Sequence, residues 1–505
     1  MGSIILCCAI SERLSSYDYE LRRLIYPHIK ANETYGSEMG LTRKYYDDKW
    51  NKFIFVLSEI GDWKYAEQLG VQVLHMRKEI LGAEHLITFL GMTNLADMYW
   101  NQGKWDAAQQ LQVQVLDMRK KLLGAEHPHT LSSMAFLART YWSQGKWNEA
   151  EQLQVQVLDM TKKLLGAEHP DTLSNMANLA STYRSQGKWN EAEQLGVQVL
   201  DMRKKLLGSD HPHTLYGMAN LASTYRSQGK WNEAEQLEVQ VLDMTKKLLG
   251  AEHPNTLSCM ANLAITYRSQ GKWNEAEQLE VQVLDMRKKL LGSDHPDTLS
   301  GMANLASTYQ SQGKWNEAEW LGVQALDMTK KLLGTEHPNT LSCMANLAIT
   351  YRSQGKWNEA EQLEVQVLDM RKKLLGSEHP QTLYGMANLA STYQSQGKWN
   401  EAEQLGVQVL DMTKKLLGAK HPDTLSGMAN LASTYQSQGK WNEAEWLGVQ
   451  VLDMTKKLLG AEHPDTLLDM ANLASTYRSQ GKWNEAKQLE VQVLDIRKKL
   501  LSTEL

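Results

Sequence analysis

The chain is predicted to be an all-α solenoid of stacked αα-hairpins, and three observations predict it. Tryptophan returns eleven times at a spacing of 42, from Trp63 through Trp105, Trp147, Trp189 and Trp231 to Trp483. The surrounding block, HPDTLSNMANLASTYRSQGKWNEAEQLGVQVLDMRKKLLG over residues 169–208, recurs with few changes. Within it the apolar residues keep helical spacing twice, with no alternating strand pattern. A period of this length marks an array whose units bury their apolar faces only by stacking.

The elements follow in order. Residues 1–44 form a non-repeat N-terminal segment, with helical apolar spacing over 17–30 interrupted by Pro27. Residues 45–505 form a continuous array of about eleven 42-residue units, the first degenerate over 45–60. In each unit the first helix carries Met176, Leu179, Ala180 and Tyr183 at i, i+3, i+4 and i+7. Pro170 suits the first helical position, Asp171 the positive end of the dipole, and Gly187 the tight turn. The second helix presents Ala192, Leu195, Val199, Met202 and Leu206 on one face. Arg203, Lys204 and Lys205 sit in its last turns and Gly208 ends it. Core packing or stapling is expected of each Trp at the start of the second helix.

Composition narrows the function. The formal charge is −5, with acids and bases cancelling within each unit. No basic stripe is left for a phosphate backbone, so nucleic acid is not an expected partner. Cys259 and Cys343 lie two repeats apart, beyond the ~7 Å limit for bridging, which fits a reducing, cytoplasmic setting. The apolar start MGSIILCCAI is too short to span a bilayer. Gly2 with Cys7 and Cys8 suggests acylation, but Leu6 stands where the myristoylation pattern wants Ser or Thr. No membrane association is expected.

The small–large pattern of Leu179, Ala180 and Tyr183, then Gly187 and the small Ala192, resembles a tetratricopeptide repeat. The 42-residue length, the LG–acid–HP-D-T junction and the ANLA segment are similar to the kinesin light chain variety. The array also resembles the C-terminal sensors of fungal NLR-like (STAND) proteins, and LRRLIYPHIKANE resembles the connector before such arrays. The resemblance implies a right-handed superhelix and a protein-binding scaffold. A kinesin light chain would carry a heptad coiled coil before its repeats, and none is present. An NLR-like protein would carry GxxxxGK[ST], but here Gly187-Lys188 is followed by Trp189.

Chemistry of other kinds is not expected. Ten histidines recur once per unit from His85 to His463, about one helix layer (~10 Å) apart, too far to converge on one metal ion. They are read as caps or junction hydrogen bonds before proline. Catalysis needs a unique, sheltered constellation, and every candidate here is copied many times, so no enzyme and no cofactor are expected.

The candidate binding residues lie opposite the core stripe. Ser174, Asn178, Ser181 and Ser185 share one face of the first helix. Asn178 is matched by Asn220, Asn262, Asn304, Asn346, Asn388, Asn430 and Asn472, and Ser181 by Ser223. An asparagine offers donor and acceptor, so it can grip an extended peptide's backbone or bond to neighbouring repeats as a ladder. The resemblance implies that this face lines a concave groove and that matching asparagines contact cargo peptides. At the rim, Arg184, Arg226, Arg268, Arg352 and Arg478 would favour acidic peptides.

Arg226, Arg268, Arg352 and Arg478 share their units with Glu238, Glu280, Glu364 and Glu490, whereas Gln310, Gln394 and Gln436 accompany Gly322, Gly406 and Gly448. Arg184 with Gly196 is the exception. Either Arg and Glu pair, or the pattern is inherited through an 84-residue duplication visible in Cys259/Cys343 and Ile265/Ile349, the account favoured by the sequence. Trp320 and Trp446 replace a Gln and fall off the apolar stripe, as outer-face contacts or tolerated surface aromatics.

The sequence thus points to an interaction scaffold holding a protein or peptide ligand, an extended peptide or a partner helix, in the groove. The alternatives are the sensing and oligomerisation half of an NLR-like protein, and a kinesin-light-chain-like cargo adaptor. End-to-end self-association is a further expectation, since no separate polar capping helix closes the array.

Overall fold

The computed structural model describes residues 24, 25, 27–29, 31, 47–60 and 62–503. Gly2, Cys7 and Cys8 lie outside them. Helices follow one another in hairpins, and no strand occurs among the described residues. Asp47–Ile60 and Trp63–Leu81 come first. After them each 42-residue unit has a first helix of 16 residues and a second of 19, as in Pro254–Ser269 and Trp273–Leu291, except that the last second helix, Trp483–Thr503, has 21.

The backbone of each boundary follows from local chemistry. At Pro254 the missing N–H falls where the helix has no bond to make. Before it His253 caps the helix, its Nδ1 accepting from the backbone N–H of Asn255 at 3.1 Å. The same bond recurs from His85 to His463, so the junction reading of the histidines holds. The second helix ends at a glycine such as Gly292, at φ 96 and ψ 162, a region that essentially only glycine visits. Its carbonyl accepts from the fully buried Thr298 hydroxyl at 2.8 Å, which ties the exit of one unit to the entry of the next.

The core is shared between units. Leu257, Met260 and Leu263 of one first helix pack with Val283 and Leu290 of its partner and with Leu242 of the preceding second helix. A unit excised from its neighbour therefore loses part of its own core. At the N-terminal end Ile25 and Ile29 are buried against Phe53, Leu57, Leu69 and Phe89, so this stretch packs on the array.

Two expectations need correction. Leu206 is 44% exposed, and Leu200 and the buried Arg203 take its place inside. The Trp residues heading the second helices are not core: Trp273 is 42% exposed and Trp483 65%. They lie back against their own turn, Trp315 approaching Gly313, so their role is at the turn.

The chain forms two compact units. One gathers the described residues up to Tyr183 with Asn190–Ser223 and Asn232–Cys343; the other comprises Arg184–Trp189, Thr224–Trp231 and Met344–Leu505. Asn178, Asn220, Asn262 and Asn304 stand in the first, and Asn346, Asn388, Asn430 and Asn472 in the second.

Candidate binding face of the first helices

All eight asparagines keep access to solvent. Asn178, Asn430 and Asn472 are exposed, and Asn220, Asn262, Asn304, Asn346 and Asn388 are half-buried. The half-buried Ser181 bonds its hydroxyl back to the Ala177 carbonyl at 3.2 Å, and Ser307 does the same to Ala303. Ser223 is half-buried at the equivalent place. Such back-bonding holds the hydroxyl against its own helix.

The neighbouring arginines are committed to stacking. Arg268 donates through Nη1 to the Asn304 backbone carbonyl at 3.2 Å and the Thr308 hydroxyl at 3.4 Å, both in the next repeat. Arg352 treats Asn388 and Thr392 in the same way, at 3.0 and 3.5 Å. Gln394 and Gln436 reach the Asn430 and Asn472 carbonyls at 3.3 and 3.1 Å, with Thr434 and Thr476 as second partners. Arg and Gln thus do one job, donating across the repeat boundary. Arg184 and Arg226 are half-buried and Arg478 is exposed.

The Arg–Glu pairs are real. Arg268 Nη1 stands 3.7 Å from Glu280 Oε1 and Arg352 Nη1 3.6 Å from Glu364, while Arg478 meets Glu490 directly. Glu280 is 2% exposed. Burial pushes its carboxyl above the usual range, and the Thr308 hydroxyl and the Arg268 charge oppose that shift. Where glycine replaces the glutamate, the next repeat's leucine fills the space: a Cβ on Gly406 would come within 3.1 Å of Leu431. A buried carboxylate needs a nearby cation and a glycine does not, which explains why Arg accompanies Glu and Gln accompanies Gly. The contact gives the pairing a physical basis. One consequence is that Arg268 and Arg352 lend little positive charge to the face.

A second coupling escaped the sequence reading. Arg203, Arg287 and Arg371 are buried in the second helix and donate at 2.9 Å to the carbonyls of His213, Asp297 and Gln381. Fourteen residues after each stands a glycine, at 217, 301 and 385, and a Cβ on it would lie 3.5 to 3.7 Å from the guanidinium. Where Thr takes the arginine's place, a larger side chain fills the gap. Asn175 donates to Thr161 at 3.4 Å, and Cys259, Cys343 and Asp469 bond to Thr245, Thr329 and Thr455. Thr413 with Gly427 departs from this rule. The signal was present in the sequence as a covariation across the junction, at a separation no single helix face suggests.

At the turns, Gln396 and Lys398 both donate at 2.8 Å to Glu361 of the preceding repeat, and Lys398 lies 5.2 Å from the Tyr393 ring centre. The Lys398 bond holds the Glu361 carboxyl below its usual range against partial burial, with help from Gln396. On the second-helix side a cleft of about 440 Å³ opens between Trp273–Leu291 and Trp315–Leu333, walled by Val281, Lys288, Tyr309 and Trp320. Trp320 and Trp446 are 61% and 60% exposed, so both are outer-face aromatics. Among the described residues no helix is long and apolar enough to cross a membrane.

The family model for the tetratricopeptide repeat matches seven segments, residues 87–163, 144–205, 172–247, 214–289, 297–373, 379–457 and 428–499. Two crystal structures of a putative kinesin light chain with nearly identical TPR-like repeats, from Podosopora anserina, are similar to this chain. They share 35% and 36% identity over 41% of it and 97% and 98% of their own length, with TM-scores of 0.36 and 0.35. A Rap protein in complex with Competence and Sporulation Factor has 12% identity over 74% of this chain and 99% of its own, at a TM-score of 0.50. No curated protein matches.

Proposed function

Because the chain belongs to the tetratricopeptide-repeat family, whose arrays are protein-interaction scaffolds, we propose that the asparagine-bearing face of its first helices grips an extended peptide. Within each unit four asparagines recur at one helical position and retain solvent access. That regular row is the observation that carries the reading. A primary amide can donate to a peptide carbonyl and accept from a peptide N–H, so the row holds backbone in preference to reading side chains.

Selectivity then falls to the variable neighbours, such as Ser174, Tyr216 and Tyr384. Tyr216 and Tyr384 are 59% and 57% exposed on the same helices. Arg268 and Arg352 act mainly as inter-repeat ties, and Arg478 is paired with Glu490.

The experiment is a peptide-array screen followed by anisotropy titration. It is run with Asn220, Asn262 and Asn304 changed to Ala in the first unit, and separately with Asn388, Asn430 and Asn472 in the second. Loss of about tenfold or more in affinity in one set is expected, each lost hydrogen bond contributing ~0.5–1.5 kcal/mol. Unchanged binding in both sets would remove the assignment.

A further inference from the structure

We infer that this chain self-associates head to tail through two edges, the turns between paired helices on one copy and the His-Pro junction loops on the next. The surface is read from a contact the chain already makes with itself.

In the first compact unit His337 Nε2 lies 3.3 Å from the Asn101 carbonyl, 236 residues earlier. In the second, His421 Nε2 lies 3.1 Å from the Ser185 carbonyl, again 236 residues earlier. Asn101 and Ser185 hold the same place, the last residue of a first helix. The following turns are covered too: a Cβ on Gly103 would strike Pro338, and one on Gly187 would come within 2.7 Å of Pro422. His421 Nδ1 is already occupied by the Asp423 backbone N–H, so its neutral ring carries the proton on Nε2 and donates to Ser185.

The same residues elsewhere lack this cover. His169 and His421 both begin His-Pro-Asp-Thr, yet their side chains are 39% and 5% exposed. Pro128, Pro170 and Pro212 are exposed on the loop edge. On the turn edge, nothing comes within 4 Å of a Cβ added to Gly355 or Gly481, and Ser395, Ser437 and Ser479, each two residues before the glycine of its own turn, are exposed. The molecule therefore carries uncovered copies of both halves of a contact that it makes at the turns of Gly103, Gly187 and Gly229, and both recur at the same 42-residue spacing.

The occupant is a second copy of this chain, because its loop edge repeats the surface that already fits the turn edge. The two edges are different surfaces, so the contact is heterologous and grows open-ended instead of closing as a two-fold dimer. This differs from stacking of the terminal helix on another array, which buries a helix face.

The test is sedimentation velocity and light scattering on the full chain. The mass is expected to rise with concentration from the 57.3 kDa monomer and to at least double by roughly 100 μM, as for a small polar interface. One variant carries Ser395→Arg, Ser437→Arg and Ser479→Arg on the turn edge. A second carries Pro128→Arg, Pro170→Arg and Pro212→Arg on the loop edge. Each alone is expected to stay monomeric, while their mixture stops at two chains, one intact edge from each. Helical circular dichroism and the thermal midpoint report folding, and a Ser→Lys set replaces the Arg set should either change. A wild-type chain that stays monomeric, association undiminished by either variant, or a closed dimer overturns the proposal.

Discussion

The guanidinium of Arg287 stands over Gly301, where an added Cβ would lie 3.7 Å from its Nη1, and it donates to the Asp297 carbonyl at 2.9 Å. The glycine leaves room for a buried cation that spans the junction between two repeats. Its counterpart is the Thr161–Asn175 pair, which fills the same space with two smaller polar groups.

The first prediction exchanges the two solutions. Gly301→Asn alone crowds the guanidinium and is expected to cost about 1–3 kcal/mol. Arg287→Thr alone leaves a gap and the Asp297 carbonyl without its donor, at a similar cost. The double variant recreates the Thr–Asn pair, so the two effects should be non-additive by about 1 kcal/mol or more in a double-mutant cycle on urea midpoints. Simple additivity would show that the pairing is only inherited.

The buried carboxylate of Glu280 supplies the second. Arg268→Gln leaves it without its cation at 2% exposure, for an expected loss of about 3 kcal/mol, as for a broken buried pair. The loss should shrink as pH falls, because protonation removes the stranded charge. Adding Glu280→Gly gives the combination that Gln310 and Gly322 already use, and is expected to recover most of the stability. Equal denaturation midpoints for Arg268→Gln and wild type at neutral pH would remove the carboxylate argument.

Asp469 gives a pH dependence with a definite sign. Burial raises its carboxyl to about 6, against a bond from Thr455, and Asp465 adds to the rise. The unfolded chain releases this proton near pH 4, so between about 4 and 6 folding takes up a proton. Its contribution to stability is full below about pH 4 and is lost as pH rises through 6. Asp469→Asn should therefore flatten this part of the profile, read by amide exchange in Pro464–Ser479 at pH 5 and 7. His337 runs the other way: burial lowers its pKa, against the bond to Asn101, so its contribution is full above about 6.5 and is lost on acidification.

Much of the fold was legible because repetition multiplies weak local signals. Pro254, His253 and Gly292 each mark a boundary modestly, but nine copies of the proline and ten of the other two at one spacing leave a single arrangement. The asparagine face was legible because solvent exposure follows helical period. Three things were not. The Trp ring looked like core because it is large and regular, yet its position at the second helix's start puts it over a turn, where it stays half-buried or exposed. Arg203 looked like a solvated cation near a helix end; only the glycine fourteen residues later shows that space was left for it. The His421–Ser185 contact depends on the meeting of segments 236 residues apart, which no local pattern encodes.

That contact separates two duties of one residue type, and a conservative exchange tells them apart. His169 serves as a cap and His421 as a cap and a donor to Ser185. Asparagine caps a helix well but is too short to reach that carbonyl. His169→Asn is therefore expected to change stability by about 0.5 kcal/mol or less, while His421→Asn loses the donor and about 1 kcal/mol more. Alanine at either site also removes the cap, for a further ~1 kcal/mol. Thermal midpoints of the four variants give the comparison. Equal loss for the two Asn variants would mean that the bond across 236 residues contributes nothing to the folded chain.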